Sequence, residues 1–214
     1  MRQVWIPRVG GPEVLTVRET VEPVPGAGDV RIRVEAIGVN FSDVLARLGL
    51  YPDAPPLPAV VGYEVAGTVD ALGTELASAD DSGDSLAVGD AVFAITRFGG
   101  YSEAVCVPVN QVVRRPPGMD ARIGAAFPIA YETAYALLVE VGRVRAGDRV
   151  LVHGVGGGVG LAALEICRIQ GAEVFGTASS KKHGFLRDRG LIDPIDPRQT
   201  DVVAEIRRRT ANRG

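Results

Sequence analysis

The chain has 214 residues, 46% of them hydrophobic, with 26 acidic and 23 basic side chains and a formal net charge of −3. That is enough for one large domain or two small ones with a buried core, and the acidic balance argues against a nucleic-acid binder. No apolar run approaches the ~18 residues of a membrane span. The start, MRQVWIPRVGGPE, lacks the charged-then-apolar pattern of a secretion signal. Cys106 and Cys167 are too few for a disulfide framework or a zinc cluster, so they read as packing thiols in a reducing cytoplasm.

In chain order, the first ~120 residues read as β-rich. Glu13–Val21 and, more clearly, Val30–Val39 alternate apolar and polar residues, as half-buried strands do. Pro23, Pro25, Gly26 and Gly28 mark a turn between them. Asn40–Leu48 reads as a short helix, Asp53–Pro58 as irregular, and Val65–Leu72 and Ala91–Ile95 as further strands. Thr74–Leu86, polar and weakly hydrophobic, reads as a mobile surface loop. Near Asp120 the pattern changes. Ile123–Val141 is Ala-rich with helical spacing broken at Pro128, and Tyr135 on it reads as core. From Asp148 the order becomes strand 150–153, helix 159–170, strand 173–177, helix 181–189, short strand 191–195 and helix 199–209, which implies a parallel sheet. The closing arginines of that helix read as a solvated last turn. The fold class is therefore α/β: a β-rich domain over 1–120 and the start of a doubly wound, Rossmann-type domain over 121–214.

The stretch Val150–Gly160, VLVHGVGGGVG, is the strongest functional signal. A buried strand turns through five glycines in seven positions into the helical run LAALEICRIQ. Such a turn lets bare backbone N–H groups approach an anion, and the helix N-terminus adds positive partial charge. Gly154, Gly157 and Gly160, with Gly156, Gly158 and Val159 between them, form G-x-x-G-x-x-G; no frame fits G-x-G-x-x-G. After the next strand the chain reads Ala178-Ser179-Ser180-Lys181-Lys182-His183, without the acid that accepts a ribose 2′-hydroxyl in NAD-selective sites. Ser179, Ser180, Lys181 and Lys182 could instead hold a 2′-phosphate, which points to NADPH over NADH. The same serines could simply cap the next helix.

Several segments carry a resemblance to a known family: GVNFSDVLARLGLY (38–51), PAVVGYEVAGTVDALG (58–73), VGDAV (88–92), GGYSE (99–103), TAYAL (133–137), 148–160 and GTASSKKHGFLRDRG (176–190). The chain resembles the medium-chain dehydrogenase/reductase superfamily in its zinc-free quinone-oxidoreductase, ζ-crystallin-like branch. Within it the likeness is to the subgroup that includes the synaptic-vesicle membrane protein homologues. The resemblance implies a GroES-like N-terminal domain and a Rossmann domain, with NADPH in the cleft between them. Zinc-dependent relatives carry Cys where this chain has Asn40-Phe41-Ser42-Asp43 and Gly-His-Glu where it has Gly62-Tyr63-Glu64, so no zinc is expected. His153 and His183 read as local structural or cofactor-edge residues.

Without a Lewis acid, reduction of a quinone or an α,β-unsaturated carbonyl is the expected chemistry, because hydrogen-bond donors suffice to stabilise the oxygen that gains charge. The resemblance places Asn40, Asp43, Tyr51 and Tyr63 on the substrate side. Asn40 could donate its amide to the substrate oxygen or cap a helix. Asp43 reads as an orienting carboxylate, and Tyr51 and Tyr63 as proton donors or packing rings. Arg47 could brace the site through an ion pair. Tyr131 and Thr133 are expected to approach the nicotinamide.

A doubly wound fold needs two β-α-β halves, and family members continue well beyond this point. The resemblance thus implies a C-terminally truncated form, with Val174–Ala178 and Leu191–Ile195 at or near a sheet edge. The partners expected are a small quinone or enone and either a second copy or a complementing C-terminal half. The competing reading is a non-catalytic nucleotide-binding or scaffold protein derived from this family.

Overall fold

The computed structural model describes residues 1–77 and 85–213. Its contacts divide the chain into two units, Met1–Ile129 and Ala130–Gly214.

The first unit opens on a hairpin-like pair, β1 (Arg2–Trp5) antiparallel to β2 (Thr16–Glu19), with a 3-10 turn at Pro12–Val14 between them. β3 (Asp29–Ile37) leads into helix α1 (Phe41–Arg47), followed by β4 (Glu64–Leu72), the short helix α2 (Thr74–Ala77), β5 (Ala91–Ile95), β6 (Ala104–Pro108) and β7 (Val112–Arg114). The last five strands form one antiparallel sheet in the order β6-β3-β4-β5-β7. Alternation explains its faces. Val30 and Ile32 of β3 are fully buried with Val65, Val69, Val92 and Val107. Arg31 and Arg33 point the other way and pair with Asp70 at 2.7 and 2.9 Å. Two register shifts between β3 and β4 bend the sheet. Helix α3 (Ala121–Ala126), capped by the Asp120 carboxylate on Arg122 N–H, packs across β3, β4 and β5. That packing keeps residues 121–129 with the first unit, so the contact division falls later than the change of pattern at Asp120.

Helix α4 (Pro128–Tyr135) starts on its proline, where a missing N–H costs nothing, and continues as a π-helical turn over Ala136–Val141. The second unit then runs β8 (Arg149–Val152), α5 (Gly158–Gln170), β9 (Glu173–Gly176), a 3-10 turn at Ser180–Lys182, α6 (His183–Asp188) and α7 (Val202–Arg209). β8 and β9 are parallel, in register from Arg149↔Glu173 to Val152↔Gly176. α5 uses both flanks. Ala162, Ala163 and Ile166 pack with Ala130 and Ala134, while Leu164 joins Val155, Ala178, Leu186 and Leu191.

Three expectations change. The predicted loop 74–86 begins as helix α2, because Thr74-Glu75-Leu76 winds back onto the sheet core through Leu76; positions 78–84 lie outside the described residues. The predicted strand 191–195 is reduced to a single parallel bridge, Ile195↔Thr177, since Pro194 cannot donate to a ladder. Even so, Ile195 N–H bonds Gly176 O at 2.8 Å and Ala178 N–H bonds Ile195 O at 2.9 Å. β9 therefore has β8 on one side and, at its C-terminal end, this segment on the other. Tyr135 is half exposed rather than core.

Candidate active site

In the first unit the site grows from the start of α1. Asn40 is the extended residue before the helix, and Asp43 sits at its third position. The Asp43 carboxylate reaches back to accept the Asn40 backbone N–H at 2.8 Å, and the Asn40 side chain faces the Asp43 backbone N–H in return, closing a capping box. Its other oxygen accepts the Gly62 N–H at 3.1 Å, and the Tyr101 phenol donates to it as well. Only 4% of Asp43 is exposed. Burial pushes its carboxyl above the ordinary range, opposed by these three donors. Burial, reinforced by the Asp43 charge, also raises the Tyr101 phenol. Asp43 thus ties α1 to the loop before β4 and to Tyr101.

Asn40 turns its side-chain amide to Glu64, with Nδ2 donating to Oε1 at 2.8 Å. Donation by this amide is therefore directed to a carboxylate of the protein. Glu64, 2% exposed, accepts the Ile129 N–H on its second oxygen at 2.8 Å. Burial raises its carboxyl too. Tyr63 stands between Tyr51 (centroids 6.0 Å apart, planes at 79°) and Phe98 (5.6 Å, 62°), both edge-to-face. Its buried hydroxyl has no protein partner among the described residues, and burial pushes the phenol up to about 12. Tyr63 is therefore a neutral hydrogen-bond donor at any physiological pH. Among the described residues Arg47 forms no ion pair; its guanidinium donates to the Gly10 carbonyl. Asn40 and Asp43 are thus joined directly, and Tyr51 and Tyr63 through their rings. Sequence reasoning missed Glu64, Tyr101 and Phe98, although Glu64 and Tyr101 lie inside the quoted stretches around Gly62-Tyr63-Glu64 and Gly99–Glu103.

In the second unit the glycine turn is built for close backbone approach. Gly154 has φ +67°, a conformation that disfavours any side chain, and donates its N–H to Thr177 Oγ1 at 3.1 Å. A Cβ on Gly160 would lie 2.6 Å from both Gly154 O and Val155 Cα. Val155 N–H bonds Thr177 O and Gly157 N–H bonds Gly154 O, which locks the turn. The N–H groups of Gly158, Val159 and Gly160 open α5 with no preceding helical carbonyl to take them. This cradle fits a dinucleotide phosphate. Lys182 reaches across it, Nζ on Gly156 O at 2.6 Å. Tyr131 donates its phenol to Glu165 of α5, and Thr133 is exposed. His153 Nδ1 lies 3.4 Å from Thr177 Oγ1 and His183 Nε2 lies 3.0 Å from Ala178 O, both local roles.

One expectation here needs correcting. The segment after β9 does have a carboxylate neighbour, supplied from further along the chain. Asp196 accepts both the N–H (2.8 Å) and the hydroxyl of Ser180, and also the Arg198 N–H at 3.0 Å. The Ser180 hydrogen is thus directed to Asp196, and the Lys182 ammonium to Gly156 O; Ser179 and Lys181 make no side-chain hydrogen bond among the described residues. The Ser180 hydroxyl and the two backbone donors hold the Asp196 carboxyl at about 2 against an ordinary 3.8. A carboxylate depressed on folding contributes stability above its unfolded value and loses it as pH falls through the folded one. Urea midpoints of the native protein and Asp196→Asn should therefore stand apart above pH 4 and converge toward pH 2. A gap that stays constant across that range would contradict the assignment.

Comparison with known proteins follows this division. Residues 26–117 match the alcohol dehydrogenase GroES-like domain. The chain is 44% identical over 195 residues to the synaptic vesicle membrane protein VAT-1 homolog of Mus musculus, covering 91% of this chain and 46% of that protein. It superposes on human synaptic vesicle membrane protein VAT-1 homolog-like protein with TM-score 0.89 and 39% identity, over 99% of this chain and 65% of the other. It also superposes on Escherichia coli quinone oxidoreductase complexed with NADPH (TM-score 0.89, 28% identity, 99% and 63%). The chain spans about half the length of the curated relatives it matches. Among the described residues no helix is long and apolar enough to cross a membrane, and no three His, Cys, Asp or Glu side chains cluster as metal ligands would. With the GroES-like sheet in its first unit and a glycine-turn β-α-β in its second, the chain is similar along almost its whole length to members of the medium-chain dehydrogenase/reductase superfamily.

Proposed function

We propose that this chain is an NADPH-dependent oxidoreductase acting on a quinone or an α,β-unsaturated carbonyl without zinc. Its first unit serves as the substrate domain and its second as the cofactor domain. The glycine cradle carries the reading, because Gly160 admits no side chain and three first-turn N–H groups remain for a diphosphate. The NADPH complex of the Escherichia coli relative supports it. When bound, the reduced nicotinamide supplies a hydride, two electrons and one hydrogen, to an electrophilic carbon of the substrate. The protein's part is polarisation and proton supply. Tyr63 and Tyr51 offer phenol donors to the oxygen that gains charge, and Asp43 and Asn40 hold the start of α1 in place. Tyr131 and Thr133 would border the nicotinamide. Ser179, Lys181 and Lys182 would bind the 2′-phosphate, while the three donors on Asp196 blunt its repulsion.

Two measurements test this. NADPH should raise the melting temperature more than NADH at equal concentration; equal shifts would remove the Lys181–Lys182 assignment. Loss of NADPH absorbance with a panel of quinones and enones should show turnover. Binding without turnover across the panel would favour a nucleotide-binding scaffold instead.

A further inference from the structure

We propose that Thr177 is a positioning residue for the nucleotide, whose hydroxyl fixes the glycine turn in the shape that leaves the first amides of α5 to a diphosphate. The proposal deepens the reading of Gly154–Gly160 as the cofactor cradle and rests on it. Thr177 follows β9 directly and is 4% exposed. From there it touches four consecutive residues at the end of β8 and the start of the turn. Its N–H donates to Val152 O at 3.0 Å, and its carbonyl accepts the Val155 N–H at 3.0 Å. Between those two, its Oγ1 accepts the Gly154 N–H at 3.1 Å and lies 3.4 Å from His153 Nδ1. Any residue but proline could make the two backbone bonds. The bond to Gly154 needs a hydroxyl. Gly154 has φ +67°, a region that glycine enters and leaves freely, so hydrogen bonds rather than sterics hold it there. Its carbonyl in turn accepts the N–H of Gly157, the residue that caps α5, at 2.9 Å. Turning the Gly154 peptide therefore moves the start of the helix. With the N–H groups of Gly154, Val155 and Gly157 used inside the turn, those of Gly158, Val159 and Gly160 remain for an anion.

Thr177→Val is the informative variant, because it keeps the branched shape and both backbone bonds and removes only the hydroxyl. Thr177→Ser restores the hydroxyl. In Thr177→Val the Gly154 N–H should exchange with solvent about 10-fold faster, while the Val155 N–H, held by a backbone carbonyl, keeps its protection. The Kd for NADPH and for NADH should rise by the same factor, about 3- to 10-fold, because the diphosphate is common to both. Thr177→Ser should bring exchange and affinity back toward native values. Measured well below the melting temperature, a variant that has merely lost packing keeps the native affinity. Unchanged Gly154 exchange in Thr177→Val would overturn the proposal whether or not any cofactor binds. So would native affinity for both cofactors in that variant, a loss confined to NADPH, or a Thr177→Ser protein that behaves as Thr177→Val does. Native protein that binds neither cofactor would instead count against the proposed function, leaving the exchange result to decide whether Thr177 holds the turn.

Discussion

Gly160→Ala should remove cofactor binding and destabilise the second unit, although it adds a single methyl. The new Cβ would sit 2.6 Å from Gly154 O and from Val155 Cα, and both are backbone. Neither can rotate away as a side chain would. Both belong to a turn tied to Thr177 through Gly154 N–H and Val155 N–H. Relief requires the turn to open, which costs about 1–3 kcal/mol, as overpacking does elsewhere. It also displaces the first-turn amides from the positions a diphosphate needs. At a ligand concentration of about 100 times Kd, native protein should gain about 2.7 kcal/mol from NADPH. The variant should gain almost nothing, measured as the NADPH-dependent change in urea midpoint. Gly158→Ala is the stability control, because its Cβ would meet only Ala130 Cβ at 3.8 Å, an ordinary contact. A Gly160→Ala protein that keeps the full NADPH response would show that the turn is not the phosphate site.

What could be read from sequence was local. β5 and the helix α5 behind its glycine turn follow from alternation and helical spacing within a dozen residues. The short strands β1, β6 and β7 escaped, because their pairing depends on distant chain, as in Arg31↔Cys106. The site divides in the same way. Asn40 and Asp43 lie three residues apart and share a helix start. Glu64 is joined to Asn40 and Ile129 across 24 and 65 positions, and Asp196 to Ser180 across 16. No spacing rule reports such pairs. They arise because the fold buries a carboxylate, and a buried carboxylate must find donors wherever the chain supplies them. The absence of an acid within Ala178–His183 was true of that segment and incomplete as a description of its surroundings.

Asp43 is where that demand is greatest, and its removal should be the most damaging change in the first unit. Asp43→Ala leaves the N–H groups of Asn40 and Gly62 and the phenol of Tyr101 without their acceptor. Each unsatisfied group costs about 1–3 kcal/mol when it stays buried. Allowing for partial rescue by water, the loss should be about 3–5 kcal/mol, or roughly 10–15 °C in melting temperature. Asp43→Asn should cost less, since its oxygen still accepts one of the three donors. The pH dependence separates this variant from a packing defect. Burial raises the Asp43 carboxyl above 3.8, so the folded state binds its proton more tightly than the unfolded chain. That contribution is largest below pH 3.8 and is lost as pH rises through the raised value. Asp43→Asn has no such titration, so its deficit relative to native protein should widen as pH is lowered from neutrality toward 4. A deficit that shrank over that interval would mean that the donors around Asp43 outweigh its burial and hold the carboxyl low. Turnover by the proposed reaction should fall with either variant at temperatures where both are folded, because Asp43 anchors the start of α1, where the proposed substrate-side residue Asn40 stands.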